Sequence, residues 1–474
     1  MQGSFTGCGT YFSAEVGAVD ESGMVVGRRG LLRAAGVGAA ALGAAAFGGT
    51  AAHAAPASGG VAAPAVRPKD VSGLPLVGGP DFPIGIFWPP PPYETSVERY
   101  QEIADAGFTF VVSGNYADDG NIIGWLLGCA DQVGLKVLVS DDTQIRNMTR
   151  WFTISDDRSV PMSITSADAA ELVRRALDAY APHQSLAGFN LFDEPWAGIM
   201  PSLGRAFGIV RTAAPDLLAY ANLLPGTGSG YDTYVQTFVD AVAPSLLSFD
   251  RYPIVSSGED TGYFDNWARI RAHALAAGVP AWTYIQTLAY SGHATPTAAG
   301  LAWQVNMSLA YGAKGVQYFT YWTPDPARGE GFGPALITVD GHRSERYADA
   351  KKLNTRWLAP VGRVLKPLVS ASVQHANESP LPAGAAGFTP DDTITAATGS
   401  PVVLGRFTDP NGPARYLLAA NRSRTATATS RVTTGSAVTS VARYDATGDA
   451  WHPVSAGNLD LSLDPGAAVL LRLT

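Results

Sequence analysis

Ile84-Gly85-Ile86-Phe87 is a short apolar run, residues 97–106 form an amphipathic helical stretch, and Phe108-Thr109-Phe110-Val111-Val112 is a second apolar run. Strand-length apolar runs that alternate with helical periodicity mark βα units on a parallel sheet. The unit recurs along the chain. Helical residues 122–133 lead to Lys136-Val137-Leu138-Val139, and helical residues 167–180 lead to a fourth run at 186–192. Runs at 217–221, 246–249, 281–285 and 315–321 follow, with helical stretches at 203–213, 231–242, 266–277, 298–310 and 347–358. Eight such units within residues 81–362 predict a (β/α)₈ TIM barrel of the α/β class. An open doubly wound sheet is the alternative, but no glycine-rich phosphate loop follows the first strand.

The pattern changes beyond Leu365. Residues 366–474 are short alternating runs rich in Thr, Ser, Val and Ala, punctuated by turns such as Asp409-Pro410-Asn411-Gly412. They predict a small antiparallel β-sandwich.

At the other end, Gly27-Arg28-Arg29-Gly30-Leu31-Leu32-Arg33 precedes an Ala/Gly-rich run, and Ala52-His53-Ala54 offers small residues for a signal peptidase. Residues 1–54 resemble a twin-arginine export signal, although Gly27 and Leu31 depart from the usual residues. The residues before Met24 look unlike an n-region, which makes Met24 an alternative start. The Ala- and Pro-rich stretch 55–80 reads as a linker. The apolar run is too short for a permanent membrane span, so the expectation is a secreted or cell-surface protein.

Composition narrows the function. A net charge of −8 without acidic runs disfavours nucleic acid and anionic membranes, whereas a neutral polymer is not repelled. Of the two cysteines, Cys8 lies in the presequence, so Cys129 reads as a small buried hydrophobe. The seven histidines are dispersed and no Gly-x-Ser-x-Gly elbow occurs, so neither a metal nor another cofactor is expected.

Barrels carry their chemistry where the strands end. The fourth run ends Phe189-Asn190-Leu191-Phe192-Asp193-Glu194-Pro195-Trp196, with two adjacent carboxylates behind an apolar strand and a proline that stops the ladder. Strand alternation predicts that only one of the two points at the barrel mouth. This run resembles the acid/base strand of the large clan of retaining barrel glycosidases, with Asp193 where most of that clan has Asn. The resemblance implies that Glu194 protonates the leaving oxygen. An Asp-Glu pair is also similar to the hexosaminidases, which would make Asp193 the partner of a substrate acetamido group.

Glycoside hydrolysis ordinarily needs a second carboxylate. The resemblance implies a Glu at the end of the seventh strand, but this chain has Gln286 there, leaving a role in binding a sugar hydroxyl. Asp250, at the end of the sixth strand, is the favoured replacement, with Asp141, Asp142 and Glu330 as further candidates. Substrate contacts are expected from Trp88, Asn115, Asp141, Trp196, Tyr252, Tyr284, Gln286 and Trp322, with Tyr290 and Tyr321 nearby, because aromatic faces stack on pyranose rings. Trp322 is expected to floor the subsite, as the resemblance implies. The reading is a glycoside hydrolase acting on a poly- or oligosaccharide. A carbohydrate-binding barrel without activity is the alternative that Gln286 favours.

Overall fold

A computed structural model describes residues 71–474, together with a short antiparallel pairing of Ala18–Val19 with Val25–Val26. Apart from that pairing, the expected export segment lies outside the described residues, as does most of the expected linker.

Eight parallel strands close into a barrel: β1 (Ile84–Phe87), β2 (Phe110–Val112), β3 (Lys136–Val139), β4 (Leu186–Asp193), β5 (Leu218–Leu223), β6 (Leu247–Asp250), β7 (Ala281–Gln286) and β8 (Ala313–Phe319). Each pairs with its neighbours in sequence, and β8 closes on β1. The helices between them are α1 (Val97–Asp105), α2 (Gly120–Val133), α3 (Ser166–Tyr180), α4 (Met200–Ala213), α5 (Gly228–Val242), α6 (Tyr263–Ala277) and α7 (Ala298–Ala310); α8 (Glu345–Leu353) follows the last strand. Two strand ends differ from expectation in ways that matter. β5 extends through Asn222, and β8 stops at Phe319, paired with the last residue of β1, so Tyr321 and Trp322 lie beyond the sheet.

The lower half of the barrel is filled by interlocking aromatic and small residues. Phe110 and Trp282 lie 5.4 Å apart by ring centroid, and Trp282 lies 6.3 Å from Tyr220. Glycines make their room: a Cβ on Gly85 would stand 2.3 Å from the Phe110 ring, and one on Gly315 would stand 2.6 Å from Trp282. Residues 71–80, at the end of the stretch expected as linker, carry the short helix Pro75–Gly78. Leu74, Leu76 and Val77 are buried there in one cluster with Phe110, Tyr220 and Trp282, which seals the lower end.

The C-terminal strands form two antiparallel sheets. β9 (Val369–Ala376), β11 (Val402–Thr408), β12 (Arg415–Asn421), β17 (Ala468–Leu473), β14 (Val441–Asp445) and β15 (Ala450–Val454) make one, in that order; β10 (Ile394–Gly399), β13 (Ala428–Thr434) and β16 (Asn458–Leu463) make the other. The sandwich is braced on α7, whose residues are buried almost throughout. Trp303 donates its indole hydrogen to the Arg422 carbonyl (2.9 Å), and Asn306 donates to the Gly466 carbonyl (2.8 Å). An apolar helix this thoroughly covered belongs to a core and not to a surface.

Candidate active site

The chain turns sharply where β4 ends. Glu194 takes a left-handed backbone, φ 55°, which most L-residues avoid. The turn is clamped from both sides: the Glu194 amide donates to the Asn222 carbonyl at 2.8 Å, and the Tyr234 hydroxyl on α5 donates to the Pro195 carbonyl at 2.7 Å. This conformation departs from the extended backbone that strand alternation assumes. Asp193 and Glu194 both lie within electrostatic reach of Asp250.

Three carboxyl groups therefore share the mouth. Burial, together with the charges of Asp250 and Asp193, holds the Glu194 carboxyl well above the usual range. Asp193 is open to the mouth but ringed by protein, and that crowding pushes it up to about 6; the Arg150 guanidinium opposes the shift and Asp141 reinforces it. Burial and the Asp193 charge push Asp250 up to about 7. An ion pair with the adjacent Arg251 is the structural role open to Asp250, but Arg251 is engaged by Asp260.

Asp250 is instead held by Asn222, whose side-chain amide donates to its carboxylate at 2.9 Å. The Asn222 oxygen accepts from the Ser248 hydroxyl at 2.9 Å, so the amide has one orientation available. Ser248 is bonded in turn to Tyr220, and Tyr220 to Gln317 across the barrel interior. Asn222 is also the register partner of Asp193 across β4 and β5, so it stands beside both aspartates.

Around these groups stand Tyr252 and Tyr284. Burial and the Asp250 charge raise the Tyr252 hydroxyl, and its ring stacks on Phe319 at 5.2 Å. Tyr284 pairs with Asp250 in the β6–β7 register and lies within electrostatic reach of Tyr220. Phe319 also lies against Phe87, Trp88 and Tyr290, so it is the aromatic centre of the mouth. Trp88 is buried beneath Arg328, whose guanidinium lies 3.9 Å from its ring centroid. Trp196 stands 57% exposed against the edge of Phe192. Asp141 meets Arg150 at 3.4 Å.

Four sequence expectations need correction. Trp322 does not floor the mouth: it is 2% exposed and lies under the Arg99 guanidinium, beyond the end of β8. Tyr321 likewise packs against Phe108 in the layer outside the barrel. Gln286 offers nothing to a substrate, because its amide oxygen accepts from the Ile254 amide and its nitrogen donates to Ile254, Leu288 and Ala294 carbonyls. It ties together the loops after β6 and β7. Asn115 is a latch of the same kind, donating to the Pro89 carbonyl at 2.8 Å. Among the further carboxylates, Asp142 caps a short helix and accepts from Tyr180, while Glu330 lies in the loop carrying Arg328.

Three residues escaped the sequence reading. Asn222 stands immediately past the strand expected at 217–221, so a longer strand would have flagged it as a strand-end amide. Phe319 was hidden inside an apolar run, and nothing in the sequence marks Arg150.

No protein-family model and no curated protein matches the chain. Several solved structures resemble it. A glucosidase from Croceicoccus marinus is 12% identical with a TM-score of 0.46, covering 83% of this chain and 96% of its own. The α-galactosidase I of Mortierella vinacea is 8% identical with a TM-score of 0.48, covering 83% and 97%. A β-xylosidase from Caulobacter crescentus is 13% identical with a TM-score of 0.42, covering 86% and 97%. Likenesses this distant decide nothing about the chemistry, which rests on the strand-end geometry.

Proposed function

We propose that the protein is an exported O-glycoside hydrolase acting on a poly- or oligosaccharide, with Glu194 as its general acid. The observation that carries this reading is the Glu194 carboxyl itself, held on a clamped turn beside two further carboxyls, with burial and their charges raising it well above the usual carboxylate range. A proton donor for a glycosidic oxygen needs that combination. Glu194 gives its proton to the leaving oxygen as the bond from the anomeric carbon breaks, and positive charge develops on the sugar. Asp250, oriented by Asn222, supplies the opposing carboxylate. Water then adds to the anomeric carbon, and the proton it releases restores Glu194 or remains on Asp250, according to the stereochemical course. The aromatic lining of Phe319, Tyr252 and Tyr284 suits the apolar face of a pyranose.

The test is a screen of aryl glycosides and polysaccharides with the wild type beside Glu194→Gln. Sugar release that the variant loses supports the reading. A wild type that releases none, yet gains thermal stability with a glycan, replaces it with a carbohydrate-binding barrel.

A further inference from the structure

Twenty-six residues separate β3 from α3, from Ser140 to Thr165. Loops beyond about 12–15 residues usually carry function or have no fixed structure. This one is built. Thr153–Ile154 pairs with Ser163–Ile164, and the Ile154 amide donates to the Ser202 hydroxyl of α4 at 2.9 Å. Arg205, also on α4, donates to the Ile154 carbonyl.

Between this excursion and the start of α4 lies a groove of about 370 Å³. That volume falls in the range of about 300–1,000 Å³ typical of small-ligand sites. Its walls expose three large apolar side chains, Trp151 (49%), Met162 (67%) and Trp196 (57%). A folded chain scatters such residues singly, and their convergence in one concavity marks a binding surface. The surface is not purely apolar, because Arg150 and Arg205 also line it. Aromatic faces flanked by hydrogen-bond donors suit a ligand with apolar ring faces and a polar rim, and suit a lipid chain poorly.

The position is as informative as the lining. Trp196 is two residues beyond Glu194, and Arg150 reaches from the groove to Asp141 and lies over Phe192, at the edge of the carboxylate cluster. We propose that this groove binds the leaving-group portion of a sugar chain, with further pyranose rings stacked on Trp151 and Trp196 on the side to which Glu194 gives its proton. The inference rests on the hydrolase reading above and deepens it: the substrate is a chain, not the glycoside of a small aglycone.

The test uses full-length Glu194→Gln protein with labelled indole nitrogens, titrated with cello-, xylo-, manno- and chito-oligosaccharides of increasing length from the monosaccharide upward. In at least one series, the indole signals of Trp151 and Trp196 are expected to move with the longer chains and not with the monosaccharide. Trp151→Ala in that background is expected to weaken binding about tenfold, with Trp151→Phe restoring most of it. Unchanged thermal melting of the alanine variant excludes misfolding as the cause. A chain that is bound or cleaved while the Trp151 signal stays still and Trp151→Ala binds equally well overturns the groove and leaves the hydrolase standing. If no chain binds and the wild type cleaves none, both readings fall.

Discussion

At its lower end the barrel turns from helix to strand, and the left-handed positions there are held by Gly107, Gly134, Gly278 and Gly312, with Ala243 the exception. At its upper end the positive-φ positions that follow β1 to β4 include one glycine, Gly114, but otherwise belong to Trp88, Asn115, Tyr116, Asp141 and Glu194. Glycine adopts that backbone without penalty, whereas other L-residues give up on the order of 1 kcal/mol each. The lower end is therefore relaxed and apolar, sealed by Trp282 and Leu76, while the upper end combines unfavourable backbone with crowded carboxylates. Strain of this kind persists where the surrounding structure over-determines it, commonly at functional sites. Here the carbonyl of Asn222 and the hydroxyl of Tyr234 do the holding.

This contrast predicts that substitutions at the two ends separate activity from stability. The largest effect is expected at the top. Glu194→Gln should lower turnover by about 10²–10⁴-fold, the range for losing a general acid, with little change in urea unfolding. Retained turnover would remove Glu194 from the chemistry. At the bottom, Trp282→Ala should cost about 3–5 kcal/mol in urea unfolding, because a fully buried indole leaves a cavity. Activity per folded molecule should survive, and its loss would mean that the two ends are coupled.

Gly315→Ala should cost about 1–3 kcal/mol, because the new methyl meets a buried Trp282 ring that has nowhere to move. The smallest effect carries an opposite sign. Burial raises the folded Asp250 pKa to about 7, from an unfolded value near 3.9. The folded state thus binds the extra proton, and the stability it contributes is present below about pH 4 and lost as pH rises towards 7. Asp250→Asn should consequently be more stable than the wild type at pH 8, on the order of 1 kcal/mol, with the difference shrinking at pH 5. Thermal melts at both values check it, and an equal difference at the two would mean that Asp250 titrates normally.

Much of this architecture was legible in the chain. Strand and helix periods depend on local spacing, so all eight barrel strands were readable within a few residues of their observed bounds. The errors fell at strand ends, where pairing with the neighbouring strand decides termination. The two-residue shift of β8 exchanged Phe319 for Trp322 at the mouth, and the short reading of β5 concealed Asn222. Gln286 was seen to be no nucleophile, because an amide cannot act as one. Its three carbonyl acceptors come from residues 254, 288 and 294, on loops that only the closed barrel assembles.

The sequence alone therefore determined the repeating βα unit, the sandwich that follows it and the strand end carrying Asp193-Glu194, because each is written in residues close together along the chain. Tertiary structure alone decided which carboxylates crowd one mouth, that Asn222 stands between Asp250 and Asp193, and that Trp151 and Trp196 face one groove. Those relations join residues far apart in sequence, and their energies depend on burial and distance, which exist only after the barrel has closed.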